Sequence, residues 1–180
     1  MVDEIDFMLR LIPSAWERIG ASDVVLDWIR RGVDIPFWNI PDPFYFKNKQ
    51  FTLKERLFIR SELKQLLKVG SIKIVQHSDF ISPISCVPKK NGKLRLIIDL
   101  RHLNSCVKSR RFKYEDITSV TELIEPGDQL ITVDLRDGFH HIPLAHCAQE
   151  YLGFVFEGVT YTWCVLPFGL SCSPYFSVKL

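Results

Sequence analysis

The sequence predicts an α+β fold, an antiparallel sheet with packed helices, on three observations. One segment has helical periodicity between a start and a stop signal. Several others alternate or are rich in β-formers, and short turn signals join them in pairs. The chain has 180 residues, 47% apolar and 24% charged, which is enough for one compact domain or one arm of a larger one. The same composition excludes a coiled coil, a collagen-like chain and intrinsic disorder. No run approaches the roughly 18 apolar residues of a membrane span. Met1-Val2-Asp3-Glu4-Ile5-Asp6 is acidic where an export signal is basic. The expectation is therefore an intracellular protein, cytoplasmic or nuclear, neither secreted nor membrane-bound. The cysteines (Cys86, Cys106, Cys147, Cys164, Cys172) are odd in number, widely spaced and free of C-x-x-C pairs, so reduced thiols are expected.

Along the chain, residues 1–50 are aromatic and punctuated by proline. Ser22 or Asp23 can cap a short helix that ends near Arg30-Arg31 with Gly32 as its stop. Beyond Gly32 the prolines and aromatics imply an extended segment laid across another surface. The clearest helix starts at Thr52, which has capping-box spacing to Glu55. Leu53, Leu57, Leu63, Leu66 and Leu67 recur at helical intervals until Gly70. Residues 72–75 and 80–88 are β-rich. Lys89-Lys90-Asn91-Gly92-Lys93 then carries an Asn-Gly turn signal, so it reads as the basic tip of a hairpin. In 94–101, Leu94, Leu96, Ile98 and Leu100 share one face, while Arg95, Ile97, Asp99 and Arg101 share the other. A helix is expected over 116–124, burying Ile117, Val120, Leu123 and Ile124. A strand is expected over 129–135, with Ile131, Val133 and Leu135 inward and Thr132 and Asp134 outward. Glu157-Gly158 is a two-residue hairpin turn between 151–156 and 159–165. Ser173-Pro174 looks like the cap and first position of a helix that runs into Leu180, so the chain reads as the N-terminal part of something longer.

Formal charge is only +2, but it is unevenly placed. Between Pro88 and Lys113 nine basic residues face one acid, leaving the remainder of the chain net negative. Such a concentration is the footprint of a phosphate-binding surface.

Three blocks follow one another in order. They are Pro88-Lys89-Lys90-Asn91-Gly92-Lys93-Leu94-Arg95 running into Ile98-Asp99-Leu100-Arg101-His102-Leu103-Asn104, then Thr132-Val133-Asp134-Leu135-Arg136-Asp137-Gly138-Phe139, then Val165-Leu166-Pro167-Phe168-Gly169-Leu170-Ser171-Cys172-Ser173-Pro174. Together they resemble a retrotransposon reverse transcriptase, in the fingers and first half of the palm of its right-hand fold, incomplete at the C-terminus. Trp16-Glu17-Arg18-Ile19-Gly20-Ala21, Arg31-Gly32-Val33-Asp34-Ile35-Pro36-Phe37 and Tyr151-Leu152-Gly153-Phe154 resemble the DIRS-like branch of these elements. The resemblance implies a brace over residues 1–50, fingers with the basic hairpin over 51–125 and a partial palm over 126–180.

It also implies an activity, RNA-directed DNA polymerisation with two Mg²⁺ ions, and roles for named residues. Nucleotide addition needs carboxylates projecting from a rigid strand end. Asp134 would be the catalytic metal ligand, with the Leu135 carbonyl on the triphosphate-side ion. Lys89, Lys90 and Arg95 match positions that close on the triphosphate, where fixed cations neutralise charge growing on pyrophosphate. Arg95 is favoured because a strand fixes its direction, and Lys89 and Lys90 compete for one role. Asp137 and Gly138 would lie against triphosphate and sugar, and Phe139 matches the steric gate against a ribose 2′-hydroxyl. Phe168 and Gly169 match the loop that contacts nucleotide and template, and Phe rather than Gln at 168 points to retrotransposons. Arg101 and Asn104 match a template-side cluster, with Asp99 as a structural partner for an arginine.

The partners implied are an RNA or DNA template with its primer, deoxynucleoside triphosphates, and further palm, thumb and possibly RNase H domains. The family's second acidic block, an aromatic-x-Asp-Asp turn, is not in these residues, so the 180 residues alone are expected not to polymerise DNA. Two other readings compete. His140, His141, His146 and Cys147 could hold zinc, although their spacing fits no common template. A non-catalytic nucleic-acid-binding module would use the same basic segment.

Overall fold

The computed structural model describes residues 13–89, 92–108, 124–125, 127–129, 131 and 137–179. Its elements are α1 (Pro13–Arg18), α2 (Asp23–Arg31), β1 (Phe44–Tyr45), α3 (Leu53–Lys68), β2 (Ile72–Val75), β3 (Phe80–Ile81), β4 (Ile84–Pro88), β5 (Leu94–Ile98) and α4 (Arg101–Asn104). After a 3₁₀ turn (Gly138–His141) come α5 (His146–Gln149), a second 3₁₀ turn (Glu150–Leu152), β6 (Gly153–Phe156), β7 (Val159–Trp163) and α6 (Ser173–Lys179).

Local chemistry sets most of these boundaries. Ser22 caps α2 by accepting from the Val25 N–H, and Gly32 ends it at φ 80. A side chain on Gly32 would meet the Ala145 nitrogen and the Leu144 carbonyl carbon, both at 2.4 Å, so only glycine fits. The capping box on α3 is complete. Thr52 Oγ1 accepts from the Glu55 N–H at 3.3 Å, and Glu55 Oε2 accepts from the Thr52 N–H at 2.7 Å. At the other end Gly70 N–H bonds the Leu67 carbonyl and Ser71 N–H the Leu66 carbonyl, a Schellman closure.

The inward stripe of α3 is Ile59, Leu63 and Leu66, whereas Leu53 is 74% and Leu57 55% exposed. Leu57 lies about 200° around the helix from Ile59, so the two early leucines fall off the stripe despite their mutual i,i+4 spacing.

The strands form two sheets. The order in the larger is β1-β3-β6-β7-β2, and β4-β5 stands as a separate antiparallel pair. The expected antiparallel pairing holds for β6-β7, β7-β2 and β4-β5, but the short β1-β3 and β3-β6 pairs are parallel. Long connections between those partners permit the parallel sense, which a tight hairpin does not. Both turn signals are realised. Glu157 and Gly158 both adopt positive φ (48° and 78°), as a type I′ hairpin requires, and Gly92 has φ 76 at the tip between β4 and β5.

One buried cluster draws on α3, both sheets and the segment after Gly32, through residues such as Val33, Ile59, Ile84, Ile98, Phe154 and Trp163. The run after Gly32 is extended, as its prolines imply. The Val33 N–H donates to the Pro143 carbonyl at 2.8 Å and the Trp38 N–H to the Cys106 carbonyl at 2.8 Å.

The expected helix 116–124 and strand 129–135 fall largely outside the described residues. Their described members depart from expectation, Ile124 being 38% and Ile131 87% exposed, and neither lies in a regular element. Ser173 opens α6 from within, and its hydroxyl donates to the Pro167 carbonyl at 3.1 Å instead of capping the helix. No helix among the described residues is long and apolar enough to cross a membrane.

Candidate active site

The β4-β5 hairpin, α3 and the end of β7 enclose a cavity of about 140 Å³. Lys89 and Arg95 enter it from the hairpin, with Leu94, Leu96 and Ile98 beneath them. Asp137, His140, Phe168 and Trp163 close it from the C-terminal half, and Glu62 and Leu66 close it from α3. The pairing of β4 with β5 places Arg95 opposite Val87 and holds its guanidinium on the exposed face of the strand. Neither Lys89 nor Arg95 makes an ion pair with a described residue, so both cations are available to an anion.

Four of the expected nucleotide-side residues, Lys89, Arg95, Asp137 and Phe168, therefore line one hollow. Phe139 stands beside it, its ring centroid 4.9 Å from that of Phe168. His140, Trp163 and Glu62 line the hollow without having been singled out from sequence. Glu62 could have been noticed as an acid one turn before Leu66 on the inward side of α3. Asp137 occupies left-handed backbone (φ 51, ψ 40), a conformation that Asp tolerates better than most residues, and its carbonyl accepts from the His140 N–H at 2.7 Å. Gly138 opens the 3₁₀ turn that follows.

Phe168 is 47% exposed and rides on a loop pinned on both sides. Ser173 Oγ holds the Pro167 carbonyl. Asn104 Nδ2 donates to the Gly169 carbonyl at 2.8 Å, and Asn104 Oδ1 accepts from the Ser171 N–H at 2.8 Å. Gly169 has φ 98, which favours glycine there. The Asn104 amide is thus bonded to the backbone of the nucleotide loop and shapes that loop.

Arg101 is exposed and bidentate with Asp99, its Nε at 2.9 Å from Oδ1 and its NH2 at 2.7 Å from Oδ2. The Arg101 hydrogen bonds hold the Asp99 carboxyl below the ordinary carboxylate range, as expected for a structural partner. Lys90, Asp134 and Leu135 lie outside the described residues, and with them the direction of the proposed metal-binding carboxylate.

The zinc reading finds no support in the geometry. The His140 ring packs between Trp163 and Phe168, while Cys147 Sγ donates to Asp34 Oδ1 at 3.2 Å. Among the described residues no group of three or more His, Cys, Asp or Glu converges as a metal site.

A family model for reverse transcriptase (RNA-dependent DNA polymerase) matches residues 87–180, over half of the chain. The chain belongs to the reverse transcriptase family. It is 36% identical over 119 residues to the retrovirus-related Pol polyprotein from transposon gypsy of Drosophila melanogaster, covering 63% of this chain and 11% of that protein. Among solved structures, the foamy viral protease-reverse transcriptase in complex with dsDNA is similar at 25% identity and a TM-score of 0.63, over 79% of this chain and 30% of the other. The same foamy viral protein in complex with RNA/DNA hybrid matches in fold at 24% identity and a TM-score of 0.65, over 80% and 19%. The chain thus spans about a ninth of the gypsy polyprotein. Nucleotidyl transfer by this family generally needs a divalent metal.

Proposed function

We propose that the chain supplies the fingers and the first part of the palm to an RNA-directed DNA polymerase of a retroelement. That enzyme adds deoxynucleotides to a primer 3′-hydroxyl on an RNA or DNA template. The observation that carries this reading is the convergence of Lys89, Arg95, Asp137 and Phe168 on one hollow. Lys89 and Arg95 enter from a hairpin and Phe168 from a pinned loop, so a triphosphate held between them meets fixed cations on one side and an aromatic wall on the other. Cations already in place when negative charge grows on the leaving pyrophosphate lower the barrier without reorganising. Phe139, packed on Phe168, would form the floor under the sugar and exclude a 2′-hydroxyl.

Two Mg²⁺ ions would take hard oxygens, and the donor set proposed for them is Asp134 with the Leu135 carbonyl, supplemented by carboxylates of a second block. When bound they would activate the primer hydroxyl and hold the triphosphate. The 180 residues contain no Asp-Asp pair. For that reason the purified chain is expected to give no primer extension with Mg²⁺ and a primed RNA template, and extension would overturn the donor set.

The site assignment is tested in the longer polymerase that carries this segment. Phe139→Ala should raise ribonucleotide incorporation, and Arg95→Ala should raise the KM for deoxynucleotides. Unchanged sugar selectivity would remove Phe139 from the gate. The DIRS-like placement within the family rests on the motifs at 16–21, 31–37 and 151–154 alone. A non-catalytic nucleic-acid-binding module is the second reading, favoured by the same missing Asp-Asp pair. Primer extension by the longer reading frame separates the two.

A further inference from the structure

Helix α3 has two faces, and the fold uses one of them. Ile59, Leu63 and Leu66 are buried against the sheets, Glu62 on the flank lines the nucleotide cavity, and Glu55 closes the capping box. At about 100° per residue, Leu53, Leu57, Lys64 and Lys68 fall within about 60° of one another on the opposite side. All four are exposed, Leu53 at 74% and Leu57 at 55%. Lys54 and Ser61 stand beside this column and are exposed too. Arg60 borders it on the other side, where the Glu157 carboxylate occupies its guanidinium at 2.8 Å. Lys54, Lys64 and Lys68 form no ion pair with a described residue. Both acids of α3, Glu55 and Glu62, are turned away from this face, so every charge on it is positive.

A lone exposed leucine is ordinary. Two stacked at i,i+4 at the head of a column of unpaired lysines form a pattern. Leu53, Leu57, Arg60 and Lys64 follow 4-3-4 spacing, the interval at which one helix presents side chains to another along a seam. The column from Leu53 to Lys68 runs about 22 Å. Its leucines gain by burial against apolar side chains, and its ammonium groups on flexible stems gain from carboxylates. Nucleic acid fits this face poorly. Phosphates would meet the lysines, but a sugar-phosphate backbone gives the leucines nothing to bury against.

We propose that the outer face of α3, formed by Leu53, Lys54, Leu57, Lys64 and Lys68, docks an acidic amphipathic helix of a partner protein. Apolar side chains of that helix would cover the two leucines, and its carboxylates would pair with the three lysines. Charge selects the partner, because a basic helix would be repelled and a neutral one would leave the ammonium groups unpaired. The proposal is independent of the polymerase reading, since no residue of this face lines the Lys89–Arg95 cavity.

The test is fluorescence anisotropy of the purified 180-residue chain with two labelled helical peptides that share a leucine seam. One carries glutamate at the positions flanking the seam and the other carries lysine. The wild-type chain should bind the glutamate peptide at least about tenfold more tightly than the lysine peptide. Leu57→Asp should weaken that binding about tenfold, because it removes an apolar anchor and sets a like charge against the acids. The double variant Lys64→Glu/Lys68→Glu should invert the preference, a gain that a misfolded chain cannot show. Lys89→Glu/Lys93→Glu changes net charge by the same amount and should leave the preference intact. If it inverts the preference equally, the peptides report net charge alone and the docking face is refuted. Equal binding of both peptides, binding of neither, or a preference unmoved by Lys64→Glu/Lys68→Glu would also overturn it. So would a blunt DNA duplex that loses more affinity to Lys64→Glu/Lys68→Glu than to Lys89→Glu/Lys93→Glu, which would assign the face to nucleic acid.

Discussion

Two hairpins in this protein are built from similar strands and do opposite work. The β6-β7 hairpin lies inside the five-stranded sheet. Phe154 is fully buried and stacks on Tyr161 at 5.3 Å, and the Glu157 carboxylate is tied back to α3 by Nε and one terminal nitrogen of Arg60, at 2.9 and 2.8 Å. Among the described residues the β4-β5 hairpin has no third strand. Of its strand residues only Ile84 and Ile98 are buried, and Lys89 and Arg95 carry charges that no described acid neutralises. The comparison teaches that pairing a charge with a neighbouring acid makes a scaffold, while leaving it unpaired beside a cavity keeps it for a ligand.

The largest expected effect breaks the scaffold side. Phe154→Ala should cost about 3–5 kcal/mol in chemical denaturation, whereas Leu96→Ala in the half-exposed hairpin should cost about 1 kcal/mol. Equal costs would erase the distinction. Asn104 links the two regions, since it sits just after the β5 hairpin and grips the loop after β7. Asn104→Ala should destabilise by about 1–3 kcal/mol, because it strips partners from two backbone groups. Amide hydrogen exchange at Ser171 should rise with it, and an unchanged rate would show that the loop holds itself.

On the ligand side, Lys89→Glu with Lys93→Glu should weaken nucleic-acid binding about tenfold or more at moderate salt and flatten its salt dependence, for every sequence alike, while stability moves by less than about 0.5 kcal/mol. A large loss of stability would place these lysines in the scaffold.

The smallest effect is in acid. Hydrogen bonds from Arg60 lower the Glu157 pKa from its ordinary 4.5. A lowered folded pKa contributes stability above the unfolded value and loses it as pH falls through the folded one. Thermal melts of wild type and Glu157→Gln should therefore differ slightly near neutrality and converge as pH drops below about 4.5.

Much of the scaffold was readable from local chemistry. Ser22, the Thr52–Glu55 box, Gly70, Gly92 at the hairpin tip and the Glu157-Gly158 turn each act through groups within a few residues, so their spacing reports them directly. The α3 stripe was less legible. Leu53 and Leu57 satisfy i,i+4 spacing, but only the helix's placement on the sheets selects Ile59, Leu63 and Leu66. The parallel pairing of β1, β3 and β6 depends on contacts across long connections, for which the sequence offers no local signal.

The candidate site divides in the same way. Order and spacing of the three blocks determined the family resemblance and the residue types that face a triphosphate, because those follow from chemistry along the chain. Tertiary structure decided which of them share a hollow, brought in Glu62, Trp163 and His140, and made Asn104 a clamp on the Phe168 loop. Hydrogen bonds between residues 65 and 67 positions apart, from Asn104 to Gly169 and Ser171, exist only once the chain has folded back on itself.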